Sequence, residues 1–104
     1  IIVLSAFISP FQADRDQVRE IVGAENYIEV FVDAPLEVCE QRDVKGLYRK
    51  ARAGEVKNFT GIDSPYEAPK NPQIVLPTGE LTIEESVKKL MEFVVPRISL
   101  RFEV

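Results

Sequence analysis

Six of the thirteen basic residues, Arg42, Lys45, Arg49, Lys50, Arg52 and Lys57, fall within residues 42–57, opposed there only by Asp43 and Glu55. That segment carries a local charge of +4, whereas the seven basic and fifteen acidic residues elsewhere leave the rest of the chain at −8. Guanidinium groups bind phosphate bidentately, and the glycines at 46 and 54 permit hinging. Cations spaced over two helical turns in this way can close over a polyphosphate. A solvated helix face accounts for the same composition equally well. Nucleic acid is the poorer reading, because the net charge is −4 and the aromatics do not alternate with the residues of the basic run.

Other candidates are scattered. Ser9 stands before Pro10 at the end of an apolar run, where a hydroxyl either contacts a ligand or closes a turn. In Asn58-Phe59-Thr60-Gly61-Ile62-Asp63 an aromatic sits among small polar groups, so Phe59 either stacks on a purine ring or anchors its loop. Cys39 shares the apolar side of a helix with Leu36 and reads as a small buried hydrophobe. Asp33, at a strand end, suits capping of the next helix better than holding a metal-bound water. With no histidine and one cysteine, the chain has no zinc-ligand set, no Ser-His-Asp or Cys-His arrangement and no internal disulfide. A reducing, cytoplasmic setting is expected.

The elements that must position these groups follow from hydrophobic spacing. Residues 1–8 form a continuous apolar run ended by Ser-Pro, the pattern of a strand covered on both faces. Asp14 with Gln17 three residues on predicts an N-cap, followed by Val18, Ile21 and Val22 at helical spacing and Gly23 as the stop. Residues 27–32 read as a strand and 35–41 as a helix with Pro35 in its first turn. A short helix over 47–53 ends at Gly54, and residues 55–73 form a long loop with Gly61, Pro65, Pro69 and Pro72 at its turns. Residues 73–76 are a strand. Thr82-Ile83-Glu84-Glu85 is a capping box opening a helix with Ile83, Val87, Leu90, Met91 and Val94 on one stripe, stopped at Pro96. The alternation in 97–104 fits a strand or the start of a following segment. Strands alternating with helices imply an α/β domain with a parallel sheet, whose ligands bind beyond the carboxyl ends of the strands.

Length and composition fit this outline. The 104 residues, 45% hydrophobic and 29% charged, allow one domain with a modest core and argue against disorder or a fibrous repeat. The apolar opening is too short for a membrane span and lacks the flanks of a signal peptide. A chain that opens on a strand without an initiator methionine is expected to be a piece of something longer.

Several long words resemble one family, adenylylsulfate kinase, which phosphorylates the 3′-hydroxyl of adenosine 5′-phosphosulfate (APS) with ATP. They are Leu4-Ser5-Ala6-Phe7-Ile8-Ser9-Pro10-Phe11 with Ala13-Asp14-Arg15, Glu29-Val30-Phe31-Val32-Asp33-Ala34-Pro35-Leu36-Glu37-Val38-Cys39-Glu40, Arg42-Asp43-Val44-Lys45-Gly46-Leu47-Tyr48, Lys50-Ala51-Arg52-Ala53-Gly54 and Phe59-Thr60-Gly61-Ile62-Asp63-Ser64-Pro65-Tyr66-Glu67. The resemblance implies a three-layer parallel sheet of the P-loop nucleotide-kinase type, present as a partial domain. Residues 1–96 would be the C-terminal part of the kinase domain, with a lid over about 42–57, a substrate loop over about 58–72, and 97–104 as a tail.

The resemblance also implies site residues. Ile8 and Ser9 would contact APS, and Ser9 matches the serine assigned to the family's phosphoserine intermediate. Phosphoryl transfer rests mainly on in-line positioning and charge neutralisation, so direct transfer to the sugar hydroxyl needs no covalent serine. Lys45 would be the substrate-contacting lysine of the lid, and Asn58, Phe59 and Thr60 the loop against which the APS adenine packs. Arg49 and Arg52 would approach the ATP phosphates, and the turn ending at Leu81 the ATP adenine. ATP and Mg2+ would be required, a homodimer is expected, and fusion to or association with an ATP sulfurylase is common in the family. The five glycines never stand at Gly-x-x-x-x-Gly-Lys-Ser/Thr spacing, and no Asp-Gly-Asp-Asn-x-x-Arg segment occurs. The alternative is a catalytically dead, sulfonucleotide-sensing regulatory module of an ATP sulfurylase. The intact lid and Phe-Thr-Gly-Ile-Asp words favour the kinase.

Overall fold

The computed structural model describes residues 1–99. Its elements run α1 (Gln12–Val22), a 3-10 turn (Ala24–Asn26), β1 (Val30–Val32), α2 (Leu36–Arg42), α3 (Leu47–Arg52), β2 (Ile74–Leu76) and α4 (Ile83–Ile98). They fall into two compact units, one made of Ile1–Tyr27 with Asp43–Lys70, the other of Ile28–Arg42 with the chain from Asn71 onward. No helix among the described residues is long and apolar enough to cross a membrane.

In the second unit the expected parallel pairing is present. β1 and β2 run side by side with Val30 opposite Ile74, Phe31 opposite Val75 and Val32 opposite Leu76. The ladder extends past the strand ends, where the Asp33 amide donates to the Leu76 carbonyl (2.8 Å) and the Gln73 amide to that of Glu29 (3.1 Å). β2 buries Ile74 and Leu76 on one face and leaves Val75 half exposed on the other, the alternation that a pleated strand imposes. α4 packs against β2. The turn leading to α4 passes so near α2 that a Cβ on Gly79 would stand 2.9 Å from the Pro35 ring, which leaves room there only for glycine.

The capping box is formed as expected. The Thr82 side chain accepts from the Glu85 amide (3.1 Å), and the Thr82 amide donates to the Glu85 carboxylate (2.9 Å). Pro96, however, does not end the helix, which continues to Ile98. A proline inside a helix removes one N–H, and here the last turn is held by other donors. The Arg97 guanidinium reaches the Phe93 carbonyl (2.6 Å), and the amide and hydroxyl of Ser99 both reach that of Val95. The strand reading of 97–104 therefore fails at 97 and 98, and its remainder from Leu100 lies outside the described residues. The expected stripe divides: Leu90 and Val94 are half-buried, while Ile83, Val87 and Met91 are exposed.

In the first unit, residues 1–8 are exposed and form no strand. An apolar run becomes a buried strand only through ladder partners and covering helices, and none pairs with it among the described residues. α1 starts two residues before the predicted cap at Asp14. Phe11 is the N-cap residue and supplies no side-chain hydrogen bond. The Gln12 amide is satisfied instead by the Glu67 carboxylate (2.8 Å), fifty-five residues away in the sequence. A distant anion thus takes the role of a local cap at the positive end of the helix. At the other end Gly23, with φ 89°, stops α1 as expected.

Thr82→Ala is expected to lower stability by about 1 kcal/mol in urea unfolding, with Thr82→Ser close to wild type. The Thr82 amide and hydroxyl hold the Glu85 carboxyl below its usual value. The stability this adds is present above the ordinary glutamate range and is lost as pH falls through the lowered folded value. Melting curves recorded across that interval in wild type and Thr82→Ala check the sign.

Candidate active site

Among the described residues, two other than glycine have left-handed backbone, Ser9 (φ 42°) and Asn58 (φ 57°). Asparagine tolerates this region, whereas a serine before proline is disfavoured in it. Both were singled out by the sequence as substrate contacts, and both lie in the first unit. Strain of this kind costs of order 1–3 kcal/mol and persists where surrounding contacts over-determine it.

At Ser9 those contacts come from Arg15, whose side chain is almost wholly buried (7% exposed). Its Nη1 donates to the Ser9 carbonyl, while its Nη2 donates to the Glu67 carbonyl (2.5 Å) and to Gln12 Oε1 (3.1 Å). The Glu67 amide returns a bond to the Pro10 carbonyl (2.7 Å). Hydrogen bonds from a charged group contribute about 1.5–3 kcal/mol each, so the pair to backbone carbonyls outweighs the strain at Ser9. Ile8, next to this corner, is 66% exposed.

The basic segment is shaped by one carboxylate. Asp43 accepts from the amides of Tyr48 (2.9 Å) and Arg49 (3.0 Å), and its own carbonyl accepts from Gly46 (2.9 Å). Gly46 and Gly54 bracket α3 with φ 67° and 79°, a conformation that favours glycine at both ends of this helix. Lys45 is exposed in the turn before α3, and Arg49 and Arg52 are exposed on the helix itself.

Asp63 organises the following loop in the same way. It accepts from the amides of Asn58 (2.9 Å) and Phe59 (2.5 Å), and the Phe59 carbonyl in turn receives the amides of Ile62, Asp63 and Ser64. Those amides, Phe59 first and then Asn58, hold the Asp63 carboxyl below the ordinary aspartate value. The Phe59 ring meets the Tyr48 ring edge to face at 4.9 Å. It therefore does anchor its loop, against α3.

Leu81 belongs to the second unit. It borders an open groove of about 610 Å³ lined also by Val32, Arg42, Thr78, Ile83 and Val87. Arg42 donates to the Thr78 carbonyl there (2.7 Å), a role that its place in the basic run did not single out. No group of three metal-ligating side chains occurs among the described residues. Cys39 and Asp33 take part in neither arrangement. Cys39 is half-buried with its Sγ 3.9 Å from the Ala34 carbonyl.

The sequence reading assigned no role to Arg15 or Glu67, and placed Arg42 only among the cations of the basic run. One signal was available for Arg15. A cation in the first turn of a helix faces the positive end of the dipole, and so needs other partners to be held there.

Asp63→Asn keeps only one carboxylate-type acceptor for two amides. In a pH titration by NMR, the Asn58 and Phe59 amide resonances of wild type should move with a midpoint below that of an exposed aspartate, and in Asp63→Asn this step should vanish.

Comparison with known proteins places the chain in a family. The family profile described as Adenylylsulphate kinase matches residues 1–77. The adenylyl-sulfate kinase of Acaryochloris marina is 60% identical over 97 residues, 93% of this chain and 47% of that protein. That of Marinobacter nauticus is 59% identical over 97 residues, 93% and 49%. The APS kinase of Mycobacterium tuberculosis, solved in complex with AMPPNP and APS, superposes with a TM-score of 0.78 at 44% identity, covering 86% of this chain and 52% of that one. The chain thus spans about half the length of the curated relatives it matches, and within that half its α/β fold is that of the P-loop kinases. On the match over residues 1–77, the chain belongs to the adenylylsulphate kinase family.

Proposed function

We propose that this chain carries the acceptor side of an adenylylsulfate kinase, which transfers the γ-phosphoryl group of ATP to the 3′-hydroxyl of APS. The observation that carries the reading is the coincidence at Ser9 and Asn58. The two left-handed non-glycine residues among those described are both ones that the family resemblance assigns to APS. Strained backbone of this kind clusters at ligand clamps.

In this reading Ile8, Ser9, Asn58, Phe59 and Thr60 orient APS, and Lys45 neutralises charge on it from the lid. Arg49 and Arg52 face the ATP phosphates, and the groove at Leu81 receives the ATP adenine. The 3′-oxygen attacks the γ-phosphorus, the bond to the β,γ-bridging oxygen breaks, ADP leaves, and the hydroxyl proton passes to solvent. Positioning and charge neutralisation supply most of the catalysis in such a transfer, and Ser9 acts as a contact rather than as a carrier of phosphate. ATP would be used together with Mg2+, which would supply further charge neutralisation at the phosphates. Homodimerisation and an adjoining ATP sulfurylase enter this reading from the resemblance, and a cytoplasmic location from the single cysteine.

The test is formation of 3′-phosphoadenosine 5′-phosphosulfate from ATP and APS by the full-length protein. Tight binding of the sulfonucleotide with no product would favour the regulatory module instead. Lys45→Ala should raise KM for APS about tenfold or more while changing KM for ATP little. The 104 residues alone, which have no Gly-x-x-x-x-Gly-Lys-Ser/Thr segment, should give no product in the same assay.

A further inference from the structure

We infer that Arg15 is a positioning residue for the acceptor nucleotide: its guanidinium fixes the backbone that presents Ile8 and Ser9, without itself touching the nucleotide. The inference rests on the proposed function, since it takes Ile8 and Ser9 as substrate contacts. Arg15 is the fourth residue of α1, a location that helix electrostatics disfavours for a cation, and yet it is 7% exposed. Its planar fork spans two segments far apart in the sequence, the Ser9 carbonyl on one side and the Glu67 carbonyl on the other.

Two further contacts brace it. Gln12 Oε1 accepts from Nη2 and also from the Lys70 amide (3.3 Å), and the Tyr66 ring centroid lies 5.9 Å from the guanidinium carbon. The Glu67 amide closes the circuit on the Pro10 carbonyl. Ser9 is thereby held at φ 42° immediately before proline, a conformation that neither serine nor the residue before a proline favours. Released from the fork, Ser9 would relax toward extended backbone, and the Ile8 and Ser9 side chains would turn away from their present directions. Lysine keeps the charge but presents a single point of attachment, so it cannot hold two carbonyls in a fixed plane.

The test is Arg15→Lys in the full-length protein, with initial rates measured against both substrates and a melting curve alongside. The expected result is a KM for APS raised about tenfold or more, with KM for ATP within about twofold of wild type. A merely structural arginine would lower the melting temperature and the active fraction, reducing kcat with both KM values unchanged, and that result overturns the inference. Should Arg15→Lys fail to fold, Gln12→Ala removes the brace and leaves the arginine. A folded Gln12→Ala protein should then show a KM for APS raised about two- to fivefold, and an unchanged value overturns the inference as well. Wild-type protein that does not phosphorylate APS defeats the functional reading and the inference with it. An active wild type with an unaltered Arg15→Lys defeats the inference alone.

Discussion

A buried guanidinium loses its water and must recover hydrogen bonds from the protein, and in this chain Arg15 donates to two backbone carbonyls and to Gln12 Oε1. Because two of its acceptors are the carbonyls of Ser9 and Glu67, the same bonds that satisfy the arginine join the corner after the apolar N-terminal run to the end of the long loop. Glu67 reciprocates through its carboxylate, which satisfies the first amide of α1 in place of a local cap. Helix start, corner and loop end are one hydrogen-bonded assembly in which no part has its geometry alone.

The rest of the first unit repeats a simpler device. Asp43 and Asp63 each accept two successive backbone amides, those of residues 48 and 49 and those of residues 58 and 59. One residue of each pair carries the aromatic ring that meets the other, Tyr48 against Phe59. Helix α3 and the loop at 58–64 are thus each shaped by one carboxylate and touch through the residues that those carboxylates hold. Phe59 illustrates how the two readings of a residue can both hold at different levels. Anchorage of its loop is observed, and packing against a purine remains the proposal.

Much of the outline was legible in the sequence because it depends on local chemistry. The capping box at Thr82 and Glu85 and the stops at Gly23 and Gly54 came from residues within a few positions of one another, and the parallel pairing of β1 with β2 followed from the alternation of strands with helices. The misreadings share a cause as well. Residues 1–8 looked like a buried strand, but burial belongs to the partners of a strand rather than to the strand. Asp14 looked like a cap, but Glu67 supplied the anion from a distance. Pro96 looked like a stop, but the side chains of Arg97 and Ser99 hold carbonyls in the last turn.

The sequence by itself determined the family, since long words in fixed order depend on residue identity alone, and it determined the elements whose ends are closed by their own residues. Only the tertiary structure decided which of those words work together. The left-handed backbone at Ser9, the burial of Arg15 and the meeting of Tyr48 with Phe59 each join positions separated along the chain. Hydrogen bonds and ring contacts act over a few ångströms of space, and separation along the chain carries no record of that distance until the chain has folded.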